Sequence, residues 1–150
     1  MICTSYFSSK APRERKVCIA KWPPRYWSGP RARLFAPEDP RAVNWRAAYR
    51  KNLESRFPTP ESLERYLGSV LALTPEPILC CYEADASQCH RRILASYLKE
   101  MLGLDVPEWK ETSLEPALKK VGMTGGRLSS PGLEGIGPRP RTSEAYPLRL

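Results

Sequence analysis

Cys89-His90-Arg91 is the segment whose residue types are best suited to chemistry. His90 is the only histidine among the 150 residues. Cys81 stands eight residues before Cys89, and Glu83 follows Cys81 closely. A thiol, an imidazole, a guanidinium and a carboxylate therefore occur within one short stretch. Such a group of side chains can bind an anion or take part in nucleophilic and acid–base catalysis.

This stretch has the pattern of a strand, a loop and a helix. Residues 78–82 form an apolar run that predicts a buried strand, and apolar residues at helical spacing predict a helix from about Ser87 to Leu102. In open α/β sheets, ligands bind beyond the carboxyl ends of the strands. With Ser87 as the N-cap, the free N–H groups of the next three residues would form an anion site there.

Glu83 and Arg91 are the charged candidates in this unit. Glu83, at the predicted strand end, would act as a catalytic base or nucleophile. Arg91 would bind a phosphate or carboxylate through its planar fork of N–H groups. The alternative is that Arg91 pairs with Glu83 or Asp85 and only fixes the loop.

Cys89 is a candidate nucleophile, with His90 as a further catalytic candidate. A helix N-terminus and a neighbouring cation both raise the thiolate fraction of a cysteine, but adjacent helical residues do not face each other, so direct proton transfer from Cys89 to His90 is doubtful. Cys81 is a candidate ligand-binding residue, and because Cys80 and Cys81 point to opposite faces of the strand, only one of them can approach Cys89. Two alternatives stay open, namely zinc held by Cys81, Cys89 and His90, and a Cys81–Cys89 redox disulfide. No metal or other cofactor is predicted, because the spacing matches no zinc knuckle or ribbon.

The basic residues are concentrated in the N-terminal third of the chain. Residues 1–56 carry 13 Lys and Arg against four Asp and Glu, a net charge of +9, while the whole chain carries +8. Within this third, residues 21–40 form a long loop rich in Pro, Arg and Trp. Trp22 and Arg25 are its candidate ligand-binding residues, because cations neutralise phosphates and aromatic rings stack on bases. The alternative is that the tryptophans pack into the core and the arginines are solvated.

The other strands and helices must position these residues. Apolar runs predict strands at 2–7, 17–20 and 78–82, with a candidate short fourth strand at 105–109. Helical spacing of apolar residues predicts helices at 41–56, from Pro60 after a Thr59 cap, and at 87–102. A capping-box pattern at Thr112 predicts a last short helix that ends near Val121.

This order of elements predicts a small three-layer α/β sandwich with a mostly parallel, Rossmann-like sheet. We expect a single α/β domain at residues 1–121. Residues 122–150 have the composition of a Gly/Pro-rich basic tail, which we expect to be flexible.

The composition argues against several classes of protein. No apolar run approaches the roughly 20 residues that a membrane span needs, so no membrane partner is expected. Five cysteines, an odd number, and no signal-peptide pattern indicate a reducing, cytoplasmic setting. The C-x5-R spacing of phosphatases and the Gly-rich phosphate loop are both absent from the sequence. The oligomeric state is not readable.

The most specific pattern in the chain consists of Cys81-Tyr82-Glu83, then Cys89-His90-Arg91, then Leu94 and Tyr97-Leu98. This pattern resembles the signature of the bacterial and phage family known as domain of unknown function 488. Weaker similarities extend the resemblance from Met1 to Trp109 and lie in Thr4-Ser5-Tyr6-Phe7, Ile19-Ala20-Lys21-Trp22-Pro23-Pro24 and Leu34-Phe35-Ala36-Pro37. The resemblance implies a compact α/β fold with a site around Cys81, Glu83, Cys89, His90 and Arg91, and it supplies no reaction.

Three functions follow from these observations. The chain would bind an anionic ligand, either a nucleotide or nucleic acid, at the strand-end site, with catalysis through Glu83, Cys89 and His90. Alternatively, it would be a nucleic-acid-binding module without turnover. The third hypothesis is a protein-interaction factor that uses the tail and the Trp-rich loop. We favour the ligand-binding α/β domain.

Overall fold

The computed structural model describes residues 1–111. The helix predicted from Thr112 to Val121, the domain boundary predicted at residue 121 and the tail predicted at 122–150 all lie outside the described residues. No helix within residues 1–111 is long and apolar enough to cross a membrane.

Three short parallel strands form the sheet. They are β1 (Cys3–Tyr6), β2 (Lys16–Cys18) and β3 (Ile78–Cys81), in the spatial order β1-β3-β2. The pairing is parallel throughout, with Tyr6 opposite Cys81 and Cys18 opposite Cys80. Every residue of the central strand is buried, as its unbroken apolar sequence predicts. The carboxyl ends of all three strands therefore lie at the same edge of the sheet.

Three helices pack on one face of this sheet. They are α1 (Trp45–Arg56), α2 (Pro60–Leu73) and α3 (His90–Leu102). Their buried residues form one core with Val17, Leu79 and Cys81 of the strands. The opposite face, which includes Cys18, Ile78 and Cys80, is covered by residues from outside the helices, among them Phe7, Ala11, Trp27 and Trp109. The predicted small α/β sandwich with a parallel sheet is thus confirmed, with loop residues forming the layer opposite the helices.

The start of the first helix and the candidate fourth strand differ from the prediction. The first helix begins at Trp45 rather than at Arg41. The Asp39 carboxylate accepts a hydrogen bond from the Arg41 backbone N–H at 3.0 Å and holds the preceding residues in a turn. The candidate fourth strand at 105–109 is reduced to a single bridge between Thr4 and Glu108. Pro107 has no N–H to extend this ladder.

The helix α2 has the start that its sequence predicts. The Thr59 hydroxyl accepts a hydrogen bond from the Ser62 backbone N–H, and the Ser62 hydroxyl accepts one from the Thr59 N–H, both at 3.3 Å. Pro60 occupies the first helical position, where its missing N–H is not needed. The predicted end of the last helix at Leu102 is also confirmed, since Gly103 after α3 adopts a left-handed conformation with φ of 67°.

Candidate functional site

The carboxyl edge of the sheet brings together three of the predicted site residues. Cys81 is the last residue of β3, and Cys89 and His90 lie at the start of α3. Side-chain atoms of these three residues that can bind a metal all lie within 4.8 Å of one another, and all three residues are buried. This edge is where ligands bind in parallel α/β sheets.

The start of α3 corrects the helix boundary predicted from the sequence. Cys89, not Ser87, is the N-cap, and its backbone is extended with φ of −119° and ψ of 147°. Residues Ala86–Gln88 instead form a 3-10 turn, because the Asp85 carboxylate accepts the Ser87 N–H at 2.9 Å. The backbone N–H groups of Gln88 and Cys89 donate to carbonyls of this turn. The anion site predicted from the backbone amides of residues 88–90 is therefore wrong in that form.

The sulfur atoms of Cys81 and Cys89 are joined as a disulfide in this structure, with their Cα atoms 7.5 Å apart. This pairing is one of the alternatives left open by the sequence. Cys80 lies in the core on the opposite face of the sheet, so the prediction that only one of the adjacent cysteines can approach Cys89 is confirmed.

The imidazole of His90 is buried and its two nitrogens have different surroundings. Nε2 lies 2.9 Å from the Ile19 carbonyl oxygen, which can only accept, so Nε2 carries a proton. Burial lowers the pKa of His90 to about 4. The ring is therefore neutral at pH 7, unlike the cation considered from the sequence, and Nδ1 has a free lone pair. Nδ1 lies 3.8 Å from the Cys89 sulfur.

His90→Phe tests the structural value of this contact. The phenyl ring keeps the packing against Tyr49, whose ring centroid lies 5.2 Å away, but leaves the Ile19 carbonyl without its donor. We expect the free energy of unfolding to fall by about 2 kcal/mol, the usual cost of an unsatisfied buried polar group. Urea denaturation with reductant and chelator present measures it. His90→Gln, whose amide can donate, should recover part of the loss, and equal stability of His90→Phe and the wild type would contradict the assignment.

The Arg91 guanidinium is fully buried and points into the protein. Nε donates to the Glu108 carboxylate at 2.8 Å, and Nη2 donates to the Ala84 carbonyl at 2.9 Å. Nη1 donates to the Glu83 carbonyl and lies 3.2 Å from the Cys81 sulfur. Four of the five N–H groups of an arginine thus face protein atoms. The geometry favours the alternative in which Arg91 fixes the loop over direct contact with a ligand.

Glu83 and Tyr82 open toward a cavity beside the cysteines. The cavity has a volume of about 290 Å³, and its walls include Lys21, Trp22, Arg41, Cys81, Tyr82, Glu83 and His90. Glu83 is exposed, and its Oε2 lies 3.3 Å from the Cys81 sulfur. The Tyr82 hydroxyl donates to the Trp22 carbonyl at 2.8 Å and holds the loop against the strand end. A carboxylate therefore faces a small cavity next to the cysteine pair.

A second cavity of about 340 Å³ adjoins the first, since both are lined by Lys21 and Pro37. Its charged residues are Lys21, Arg31, Arg33, Glu38 and Arg56. Four of these side chains are cationic and one is anionic. Arg41 and Arg56 line these cavities although neither is a candidate from the sequence, because Arg41 precedes α1, Arg56 ends it and both are distant in the chain from the cysteines.

The aromatic loop residues have different positions. Trp22 is 51% exposed, and the Lys21 ammonium and the Arg41 guanidinium lie 5.1 Å and 5.2 Å from the centroid of its ring. Trp27 instead packs against Phe7, at a centroid distance of 5.2 Å. Arg25 is exposed and lines neither cavity. The structure therefore brings Trp22, but not Arg25, to the cluster around Cys81 and Glu83.

Residues 22–98 match the protein family described as Domain of unknown function DUF488. The chain belongs to this family. The matched segment spans just over half of the 150 residues and contains Glu83 and Cys89-His90-Arg91 at the start of α3. The family membership predicted from the sequence is confirmed. That the pattern around Cys81 and Cys89-His90-Arg91 is the signature of the DUF488 family stays a prediction. No curated protein and no solved structure shows significant similarity to the chain.

Proposed function

We propose that this DUF488 chain binds a phosphate-bearing ligand, a nucleotide or a segment of nucleic acid, in the two adjoining cavities at the carboxyl edge of the sheet. The main support for the proposal is that the two cavities share Lys21 and Pro37 as wall residues. One cavity is lined mainly by cations, and the other contains Trp22, Glu83 and the cysteine cluster. A single ligand that spans Lys21 would place its anionic part among the arginines and another part beside Glu83.

The charge of the cationic cavity supports binding of phosphate. Arg56 already donates to the Leu34 and Ala36 carbonyls at 2.9 and 2.6 Å and to the Glu38 carboxylate at 3.2 Å, so it holds the loop in shape. Arg33 is exposed, and its guanidinium donates to no protein acceptor within residues 1–111. Arg33 is therefore free to supply a charge-assisted, two-pronged contact to an oxyanion.

The exposed aromatic surface favours a ligand with a planar ring. About half of the Trp22 side chain is exposed, and Tyr82 is 52% exposed at the same cavity. Stacking of a base on an aromatic ring is worth about 1–3 kcal/mol and tolerates any base. Nucleotides and single-stranded nucleic acid combine such a ring with phosphate. This combination favours them over inorganic phosphate alone.

Catalysis is part of the proposal through Glu83. Its carboxylate faces the same cavity as Trp22 and Lys21, where it would take a proton from a ligand or a water molecule. Cys89 and His90 are the other residues predicted to assist. The competing function is a binding module that uses the same surface without turnover.

Arg33→Gln tests the binding site. We expect a labelled single-stranded oligonucleotide to bind at low salt, and Arg33→Gln to weaken this binding roughly tenfold through loss of one charged hydrogen bond. Fluorescence anisotropy over a salt series measures both effects. The matched control is Arg92→Gln, because Arg92 is exposed on α3 and lines neither cavity.

In the same experiment, a Trp22→Ala variant separates the contribution of the aromatic ring to binding from that of the phosphate. It should weaken binding of the oligonucleotide and of a nucleoside monophosphate but not of inorganic phosphate, when each is used as a competitor. No binding at low salt, or an equal loss in Arg92→Gln, would exclude the proposed site.

A further inference from the structure

We infer that Cys81, Cys89 and His90 hold a zinc ion in the reduced protein, as two thiolates and one imidazole. Their metal-binding atoms already lie within 4.8 Å of one another in a buried cluster. Two thiolates with one histidine are a donor set that zinc uses in proteins. This inference rests on the cluster alone and does not depend on the proposed binding of phosphate.

The backbone spacing of the two cysteines suits a shared ion better than a covalent bond. Their Cα atoms are 7.5 Å apart, beyond the roughly 4.4–6.8 Å usual for disulfides. An ion between two sulfurs adds reach, because each sulfur then lies about 2.3 Å from the metal rather than next to the other sulfur. Reduction of the pair therefore leaves two thiols aimed at one point from β3 and from the start of α3.

The histidine is held in the form that can bind a metal. Its Nε2–H donates to the Ile19 carbonyl at 2.9 Å, which directs the free lone pair of Nδ1 toward the Cys89 sulfur, 3.8 Å away. Ligand atoms on one tetrahedral zinc lie about 3.5–3.8 Å apart, given bond lengths of about 2.0–2.3 Å. Metal-binding histidines commonly donate their other N–H to a backbone carbonyl in this manner.

The Arg91 guanidinium also suits a thiolate at Cys81. Arg91 directs an N–H at the Cys81 sulfur from 3.2 Å, a contact that stabilises a thiolate. The Glu83 carboxylate lies 3.3 Å from the same sulfur on the side of the cavity. Zinc and two thiolates sum to zero charge, so the metal cancels the charge of the buried thiolates while Arg91 stays paired with Glu108. Zinc binding releases the two thiol protons to solvent.

Three protein ligands leave a fourth position on the metal. Cys81 and His90 line the cavity of about 290 Å³ that also contains Glu83 and Trp22. That position is thus accessible to water or to a ligand atom, which is the arrangement of a catalytic rather than a structural zinc site. All other cysteines of the chain, Cys3, Cys18 and Cys80, are buried away from this cluster.

The metal content of the purified full chain tests the inference. After expression with added zinc and purification with a non-chelating reductant, we expect about one zinc per chain by plasma mass spectrometry. Cys81→Ser and Cys89→Ser should each lose most of it, while Cys3→Ser, the matched control at a buried cysteine outside the cluster, should retain it. Metal retained by a Cys81→Ser/Cys89→Ser double variant would overturn the assignment.

Cobalt replacement in the unaltered chain gives a second readout that needs no variant to fold. Cobalt should produce the visible bands of tetrahedral coordination and a near-ultraviolet band from thiolate-to-cobalt charge transfer. Reduced wild-type protein that binds neither zinc nor cobalt would overturn the inference. An intact Cys81–Cys89 disulfide in its mass, once the reductant is removed, would then favour a redox pair. Oligonucleotide affinity is measured separately, so failure of this site and failure of the anion site are distinguishable.

Discussion

Arg91→Met should lower the free energy of unfolding by about 3 kcal/mol, the largest stability change that we expect from one substitution in the site. The arginine is fully buried and serves two carbonyls, one carboxylate and one sulfur. Methionine fills much of the volume but leaves these acceptors without donors. Unsatisfied buried acceptors cost about 1–3 kcal/mol each, and loss of one partner of a buried ion pair costs more. Glu108 can turn toward water because its side chain is 33% exposed, which moderates the total.

Urea denaturation of the reduced, chelator-treated protein measures this change. Arg92→Met is the matched control, because Arg92 is the next residue of the same helix and is exposed. We expect that control to stay within about 0.5 kcal/mol of the wild type. Arg91→Lys should recover only part of the loss, since one ammonium group cannot reproduce the planar fork of donors. An Arg91→Met variant as stable as Arg92→Met would show that these contacts contribute nothing.

Glu83→Gln should abolish turnover while leaving ligand binding intact, and it separates an enzyme from a binding module. The amide keeps the size of the carboxylate at the cavity wall but cannot accept a proton. General base catalysis typically contributes about 100-fold to 10,000-fold, so a loss of this size is expected. The Glu83 side chain is exposed, so we expect little change in folding.

The measurement uses the nucleotide or oligonucleotide found to bind in the anisotropy experiment. Mass spectrometry of that ligand after incubation with wild type reports product, and the same assay with Glu83→Gln reports its loss. Glu64→Gln is the matched control, because Glu64 is exposed on α2 and lines neither of the two site cavities. Wild-type protein that binds the ligand without product formation would favour the binding module, as would unchanged turnover in Glu83→Gln.

The proposed zinc site and the Glu83 prediction concern adjacent groups with separate readouts. A metal at Cys81, Cys89 and His90 would place a Lewis acid beside the Glu83 carboxylate, which is the arrangement by which metal enzymes activate water. If metal is confirmed and Glu83→Gln keeps both metal and ligand, loss of turnover assigns the proton transfer to Glu83. If metal is lost in Glu83→Gln, the carboxylate is itself a ligand.

The order of apolar and polar residues in the sequence determined where the strands and the later helices lie and which strand residues share a face of the sheet. Apolar runs and helical spacing are local features, so β3, α2 and α3 could be predicted within a few residues. The alternation of side chains along β3 was sufficient to predict that Cys80 and Cys81 lie in different cores. The membership of the family could also be recognised from the sequence, because the match depends on residue types in order.

Only the structure decided which atoms the side chains of the candidate site contact. The start of α3 depends on the hydrogen bond from the Ser87 backbone N–H to the Asp85 carboxylate. This bond favours a turn over the first turn of a helix, and the helical spacing of apolar residues does not reveal it. Arg91 points inward because Glu108 and the carbonyls after β3 surround it. The tautomer of His90 depends on the Ile19 carbonyl, 71 positions away in the chain. The contacts of Arg91 and His90 with residues distant in the chain arise from packing of the whole domain, and periodicity within one segment carries no information about them.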